Sequence, residues 1–377
     1  MEAPMTNESS VPVHRHPLWS SVATPLGLYV VARGVMLLLL GSVARARNYD
    51  IGHYLRAWDG KWYLLIARTG YATHIPPGSG NPAQSDLGFF PLLPLLIRGM
   101  HALTHLGWLT CGELVITMAG AAGSVVLWQF LRDQVDAAAS TRGLALVLFS
   151  PAAVVLSMVY SESLFLLFVS LTLLSLRRRR WFVAGLSAAA TSALDPVGMA
   201  IVIPCVWAAY GAIRERGEWR ALVAPLLAPV GLLWFFTYLW RHTGSFFEWF
   251  HAQRAGWQSG PLGTGIFYNA GKFAAHFFAD QNPAAKSLAF LVAIGLVWWV
   301  ARHDHAPVAL AYALAVLACG ALSPIIGISP RLLLRAFPLL AIAGATLPQP
   351  RYNQLMAGSL LSMSCLAVMS TSAHWTP

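Results

Sequence analysis

The residue best suited to chemistry in this 377-residue chain is Asp59, set between tryptophans in the run Arg56-Ala57-Trp58-Asp59-Gly60-Lys61-Trp62-Tyr63. A carboxylate at a membrane boundary can accept the proton of a hydroxyl, the work of a general base. Indole rings favour the interface and stack on sugar faces. Residues 55–69 fit an interfacial helix whose apolar stripe is Leu55, Trp58, Trp62, Leu65, Ile66 and Thr69, with Asp59 at its edge. The plainer alternative is an anchor helix in which Asp59 only complements the helix dipole.

Other charged residues sit where charge needs a reason. Glu162 opens an apolar run after Tyr160-Ser161 and could be a second acid lining a cavity. With Ser161 and Ser163 beside it, helix capping explains it equally. Asp195 precedes Pro196 between two short apolar runs. An acid within the membrane is a functional candidate, and an Asx turn before proline is the competing explanation. Arg331 and Arg335, at i and i+4, share a helix face and could grip a phosphate or snorkel to head groups. The stretch Glu248, Trp249, His251, Gln253, Arg254 and Trp257 suits a sugar, as would any interfacial belt. His101 and His105 have i, i+4 spacing without an accompanying glutamate motif, so no metal site is assigned.

The elements that must hold these residues are membrane helices. The chain is 57% hydrophobic and 11% charged, against roughly 25% charged residues in soluble proteins. Continuous apolar runs exclude a β-barrel and predict about eleven spans. They fall at 22–43, 113–131, 143–158, 162–176, 181–194, 197–212, 221–240, 287–301, 306–322, 332–347 and 355–371. The first is too long for a signal-peptide core, and residues 1–20 read as a disordered cytoplasmic tail. Segment 88–106, with Pro91, Pro94, Arg98, His101 and His105, is read as an interfacial or re-entrant helix. The block Arg177 to Arg180 and the trio Arg214, Arg216 and Arg220 should be cytoplasmic. His303-Asp304-His305 reads as a solvated cytoplasmic turn. That count puts Asp59, Glu162, Asp195, Ser329-Pro330-Arg331 and loops 44–111 and 241–286 outside, the loops roofing one domain over residues 21–377. The formal charge of +10 is explained by orientation and anionic membrane lipids, and no nucleic-acid motif is present. Cys111, Cys205, Cys319 and Cys365 indicate neither a disulfide framework nor a metal site.

The motifs Trp58-Asp59-Gly60-Lys61-Trp62-Tyr63, Ile66-Ala67, Gly70-Tyr71 and Phe89-Phe90-Pro91-Leu92 resemble those of bacterial PIG-V-type mannosyltransferases of the GT-C superfamily. Tyr160-Ser161-Glu162-Ser163, Ser329-Pro330-Arg331 and Phe337-Pro338 extend the resemblance over about residues 20–345. It implies an all-α, GT-C-like polytopic fold in a bacterial plasma membrane, with its active site on the external face. It implies a polyprenyl-phosphate mannose donor, a glycan or glycolipid acceptor, inversion at the anomeric carbon, and Asp59 as general base. The family usually carries arginine where this chain has Asp195, which reverses a charge. No cofactor is implied with certainty, and a divalent metal stays open. Two other readings use the same cavity: a flippase for lipid-linked sugars, and an inactive partner in an assembly complex.

Overall fold

The computed structural model describes residues 18–76, 84–257, 262–275, 281–302, 306–324 and 327–372. Residues 1–17 of the expected tail, and the turn His303-Asp304-His305, lie outside the described residues. Residues 18–20, also assigned to the tail, instead begin the first helix.

Among the described residues, regular structure is helical throughout. The chain begins with α1 (Leu18–Ala46), two short helices α2 (Ile51–Leu55) and α3 (Asp59–Thr69), and α4 (Leu92–Thr104). Next come α5 (Trp108–Arg132), α6 (Ala137–Leu148), α7 (Glu162–Arg177), α8 (Trp181–Ser192), α9 (Val202–Arg216), α10 (Val223–Leu227) and α11 (Val230–Thr243). The last third holds α12 (Glu248–Gly256), α13 (Gly265–Ala275), α14 (Gln281–Arg302), α15 (Pro307–Leu322), α16 (Pro330–Arg335), α17 (Phe337–Thr346) and α18 (Gln349–Ser370). Five stretches among the described residues are long and apolar enough to cross a membrane: Val22–Ala46, Trp108–Arg132, Pro196–Arg216, Trp219–Thr243 and Asn282–Arg302.

Several expected spans are broken, each for a visible reason. The run 143–158 splits into α6 and a 3-10 turn over Ala153–Ser157, with Ser150-Pro151 between them. A proline cannot continue a helix, and the freed carbonyls must then find donors in lipid. Arg33 of α1 supplies them. It is buried and donates to the carbonyls of Leu148 (3.2 Å) and Ala153 (3.0 Å) and to Ser157 Oγ (2.7 Å). Likewise 332–347 divides at Ala336 into α16 and α17, with Pro338 near the start of the latter. Segment 88–106 forms α4, whose 13 residues give about 20 Å, short of a hydrocarbon core of about 30 Å.

The densest packing joins α5 to α7, α6 to α17 and α7 to α8. Small residues permit this approach. A Cβ at Gly123 would lie 2.8 Å from the backbone nitrogen of Leu167, and one at Gly143 would collide with the carbonyl of Ala341. A second apolar cluster joins Leu87 and Phe90, in the segment before α4, to Phe235, Phe236 and Leu239 of α11 and Trp249 of α12. Asp86 ties the same segment to the chain after α3, taking the Ala72 N–H on its carboxylate at 3.1 Å. Burial is the main cause that pushes the Asp86 carboxyl above its ordinary range.

Candidate active site

The helix carrying Asp59 is shorter than its apolar stripe suggested. A tight turn at residues 57–60, closed by Gly60 N–H to Ala57 C=O at 3.0 Å, interrupts the run and restarts it at Asp59. Trp58 sits in that turn at φ 53°, ψ −117°, the first central position of a type II′ turn, where glycine is normal. Its indole N–H reaches the carbonyl of Ser370 on α18 at 3.0 Å. The buried face of α3 is therefore Gly60, Tyr63, Ile66 and Ala67, while Leu65 and Thr69 of the expected stripe face outward. Arg98 of α4 secures the far end of α3, donating to the carbonyls of Ala67 (2.8 Å) and Ile66 (3.1 Å).

This start places the Asp59 carboxylate at a helix N-terminus, where the free N–H groups favour an anion. Its own N–H donates to the Tyr160 hydroxyl at 3.2 Å. Glu162 likewise begins α7, but Ser161 makes no side-chain cap bond there. Asp195 does form the expected Asx turn, accepting the Val197 N–H at 2.9 Å. At the start of α16, Pro330 and a Ser329 hydroxyl cap to Leu332 N–H set Arg331 and Arg335 on one face.

These five residues, the three acids and the i, i+4 arginine pair, meet in one alternating chain of charge. Asp195 Oδ2 is 3.0 Å from Arg335 Nη1. Arg335 also gives its Nε (3.0 Å) and Nη2 (2.9 Å) to Glu162 Oε1. The same Glu162 oxygen takes Arg331 Nε at 2.5 Å, and Arg331 Nη1 ends on Asp59 Oδ2 at 2.6 Å. Arg331 lies over the Tyr160 ring at 4.6 Å and Arg335 over Phe165 at 5.0 Å. Side-chain exposure along the chain runs 19%, 7%, 1%, 14% and 26% from Asp195 to Asp59. The middle is sealed and the Asp59 end is the most open. Three carboxylates against two guanidiniums leave a formal charge of −1. Burial opposes the charge on Arg331, but Glu162 and Asp59 outweigh it and raise its pKa well above the usual value. Burial, then the neighbouring Asp59 charge, pushes the Tyr63 hydroxyl up.

An aromatic wall rises beside Asp59. Trp62, one turn along α3, stacks on Phe89 at 5.6 Å, and Trp257 meets both rings edge-on at 6.0 and 5.5 Å. Gln253 donates to the Gly88 carbonyl at 3.0 Å and so ties α12 to this wall. Gly88 is needed there, since a Cβ would press on the Trp257 ring at 2.9 Å. His251 points away to Glu248 at 3.2 Å on an exposed surface. Tyr63, Phe89 and the Tyr160 hydroxyl also stand at the site; the sequence motifs contain all three, but no site role was assigned to them there. Among the described residues, no group of three His, Cys, Asp or Glu side chains is placed to hold a metal ion. A hollow of about 260 Å³ lies between α13, α14 and the Gly327–Ile328 bend, lined mainly by Ile266, Phe273, Phe290 and Leu291.

No family model matches this sequence, and no curated protein does. Solved structures do match in shape. The crystal structure of ArnT from Cupriavidus metallidurans bound to undecaprenyl phosphate superposes with a TM-score of 0.57 at 16% identity, covering 93% of this chain and 64% of that one. The same protein in its apo state gives 0.54 at 17% identity, covering 93% and 66%. This chain therefore spans just under two thirds of the length of each ArnT chain, and the likeness is one of architecture: an all-α, GT-C-like membrane fold of the ArnT kind.

Proposed function

We propose that this chain is a membrane glycosyltransferase that moves a sugar from a polyprenyl-phosphate carrier to a hydroxyl of a glycan or glycolipid. Mannose is the sugar suggested by the PIG-V-type motifs. The observation that carries the reading is Asp59, a carboxylate at the most open end of an ion-pair chain whose middle is sealed, and next to an aromatic wall. The ArnT-like architecture supports a lipid-linked donor, since that protein holds undecaprenyl phosphate.

In this mechanism the acceptor oxygen attacks the anomeric carbon as Asp59 takes its proton. The bond from that carbon to the phosphate oxygen breaks, and the lipid phosphate leaves with the electron pair. A phosphate leaves readily, so no strong general acid is required. One displacement inverts the centre. Arg331, the more open of the two arginines, faces the departing phosphate and stabilises its charge. The apolar hollow at Gly327–Ile328 takes the carrier chain. Ile328 and Arg331 are three residues apart, so at most about 11 Å separates their backbones. The wall of Trp62, Phe89 and Trp257 stacks on sugar. Asp195 and Gln253 hold the surrounding frame, and the site opens to the external face of the plasma membrane.

The test is product formation by the purified protein in proteoliposomes, supplied with polyprenyl-phosphate mannose and a panel of glycan and glycolipid acceptors. A new glycoside supports the reading. Carrier movement across the bilayer with no new glycosidic bond replaces it with the flippase.

A further inference from the structure

We propose that Asp195 is a positioning residue that fixes the Asp59 carboxylate from the far end of the ion-pair chain, through Arg335, Glu162 and Arg331. The proposal rests on the reading of Asp59 as the base. Asp195 uses its two oxygens for two tasks. One closes the turn at the start of the 3-10 segment Pro196–Ile201 through the Val197 N–H, and the other holds Arg335. The turn itself is mounted rigidly. The Leu92 N–H donates to the neighbouring Ala193 carbonyl at 3.2 Å, and Gly198 is pressed against the backbone of Thr191. The carboxylate is thus tied to backbone on one side and to a guanidinium on the other.

The links beyond it leave little freedom. Arg335 is buried and directs Nη1 to Asp195 and both Nε and Nη2 to Glu162. Glu162 is sealed, and a single oxygen of it receives both arginines. Without Asp195, Arg335 is left with only the Glu162 oxygen that it shares with Arg331, and no counter-charge stands on its other side. Arg335 then has reason to move toward Glu162, and Arg331 to shift its grip on Asp59. Arg335 on this view supports the site and Arg331 alone meets the phosphate.

The experiment compares Asp195→Asn and Asp195→Glu in the full chain, using two readouts. The first is steady-state kinetics with polyprenyl-phosphate mannose. The second is the rate at which Asp59 is labelled by a carbodiimide and an amine, read by mass spectrometry, which needs no turnover. We expect Asp195→Asn to lower kcat by about 10², the cost of roughly an ångström of misplacement. Its KM for the donor should stay near wild type, its Asp59 labelling should rise several-fold, and Asp195→Glu should restore both. A raised donor KM at unchanged kcat would make Asp195 a substrate contact and overturn the proposal, as would unaltered Asp59 labelling in Asp195→Asn. Raised Asp59 labelling in Asp195→Asn, alongside a wild-type protein that makes no glycoside, would keep the structural relay and sink the functional reading instead.

Discussion

Arg335→Met is the most informative perturbation of stability. Arg335 places three N–H groups on carboxylate oxygens: two on Glu162 at 2.9 and 3.0 Å and one on Asp195 at 3.0 Å. Methionine fills much of the same volume but leaves Glu162 sealed with only Arg331 beside it. Removing one partner of a buried ion pair costs about 3–5 kcal/mol, because the remaining charge stays buried. A second change, Glu162→Gln, removes much of that stranded charge. The double variant should therefore lose less than the two single losses combined, with a coupling of about 1–3 kcal/mol. Arg335→Lys should fall between, since one ammonium cannot reproduce a fork shared by two acids. The assay is equilibrium unfolding in detergent followed by tryptophan fluorescence. A loss below about 1 kcal/mol for Arg335→Met, or strict additivity in the double variant, would refute the picture of a tightly coupled buried network.

Three other perturbations probe the frame. Trp58→Gly should be more stable than Trp58→Ala by about 1–2 kcal/mol, because both lose the ring and only glycine fits φ 53° without strain; equal stabilities would remove the strained turn from the account. Gly143→Val should cost several kcal/mol, by overpacking where α6 meets the Ala341 carbonyl of α17; an unchanged unfolding midpoint would contradict that contact. Asp86 has a raised pKa in the fold, so its contribution is fully present below the unfolded value and lost as pH rises through the folded one. Asp86→Asn keeps an acceptor for the Ala72 N–H and should gain stability relative to wild type as pH rises above about 4, the ordinary aspartate value; a difference that is flat with pH would count against this.

The five charged residues were legible because charge in an apolar chain needs partners. Asp59, Glu162, Asp195, Arg331 and Arg335 stood out against long apolar runs, and the fold brings all five together. Their pairing was not legible. An i, i+4 arginine pair suits a phosphate and a carboxylate alike, and only tertiary placement puts Glu162 between them. The phase of α3 was misread because periodicity assumes an unbroken helix, whereas Trp58 occupies a conformation its residue type disfavours. The split of 143–158 had a local sign in Pro151, but its repair by Arg33, more than a hundred residues away, had none. At Asp195 the competing explanations were an Asx turn and a functional acid; one oxygen closes the turn, while the other holds Arg335 in a pairing that no local pattern announced.

Asp59 acting as the base toward an acceptor hydroxyl is the central claim, and Asp59→Asn tests it most directly. The substitution preserves size and removes the acceptor of the proton. Assayed with lipid-linked mannose, a variant that unfolds like wild type should turn over about 10²–10⁴ times more slowly. Wild-type turnover in that folded variant would contradict the account.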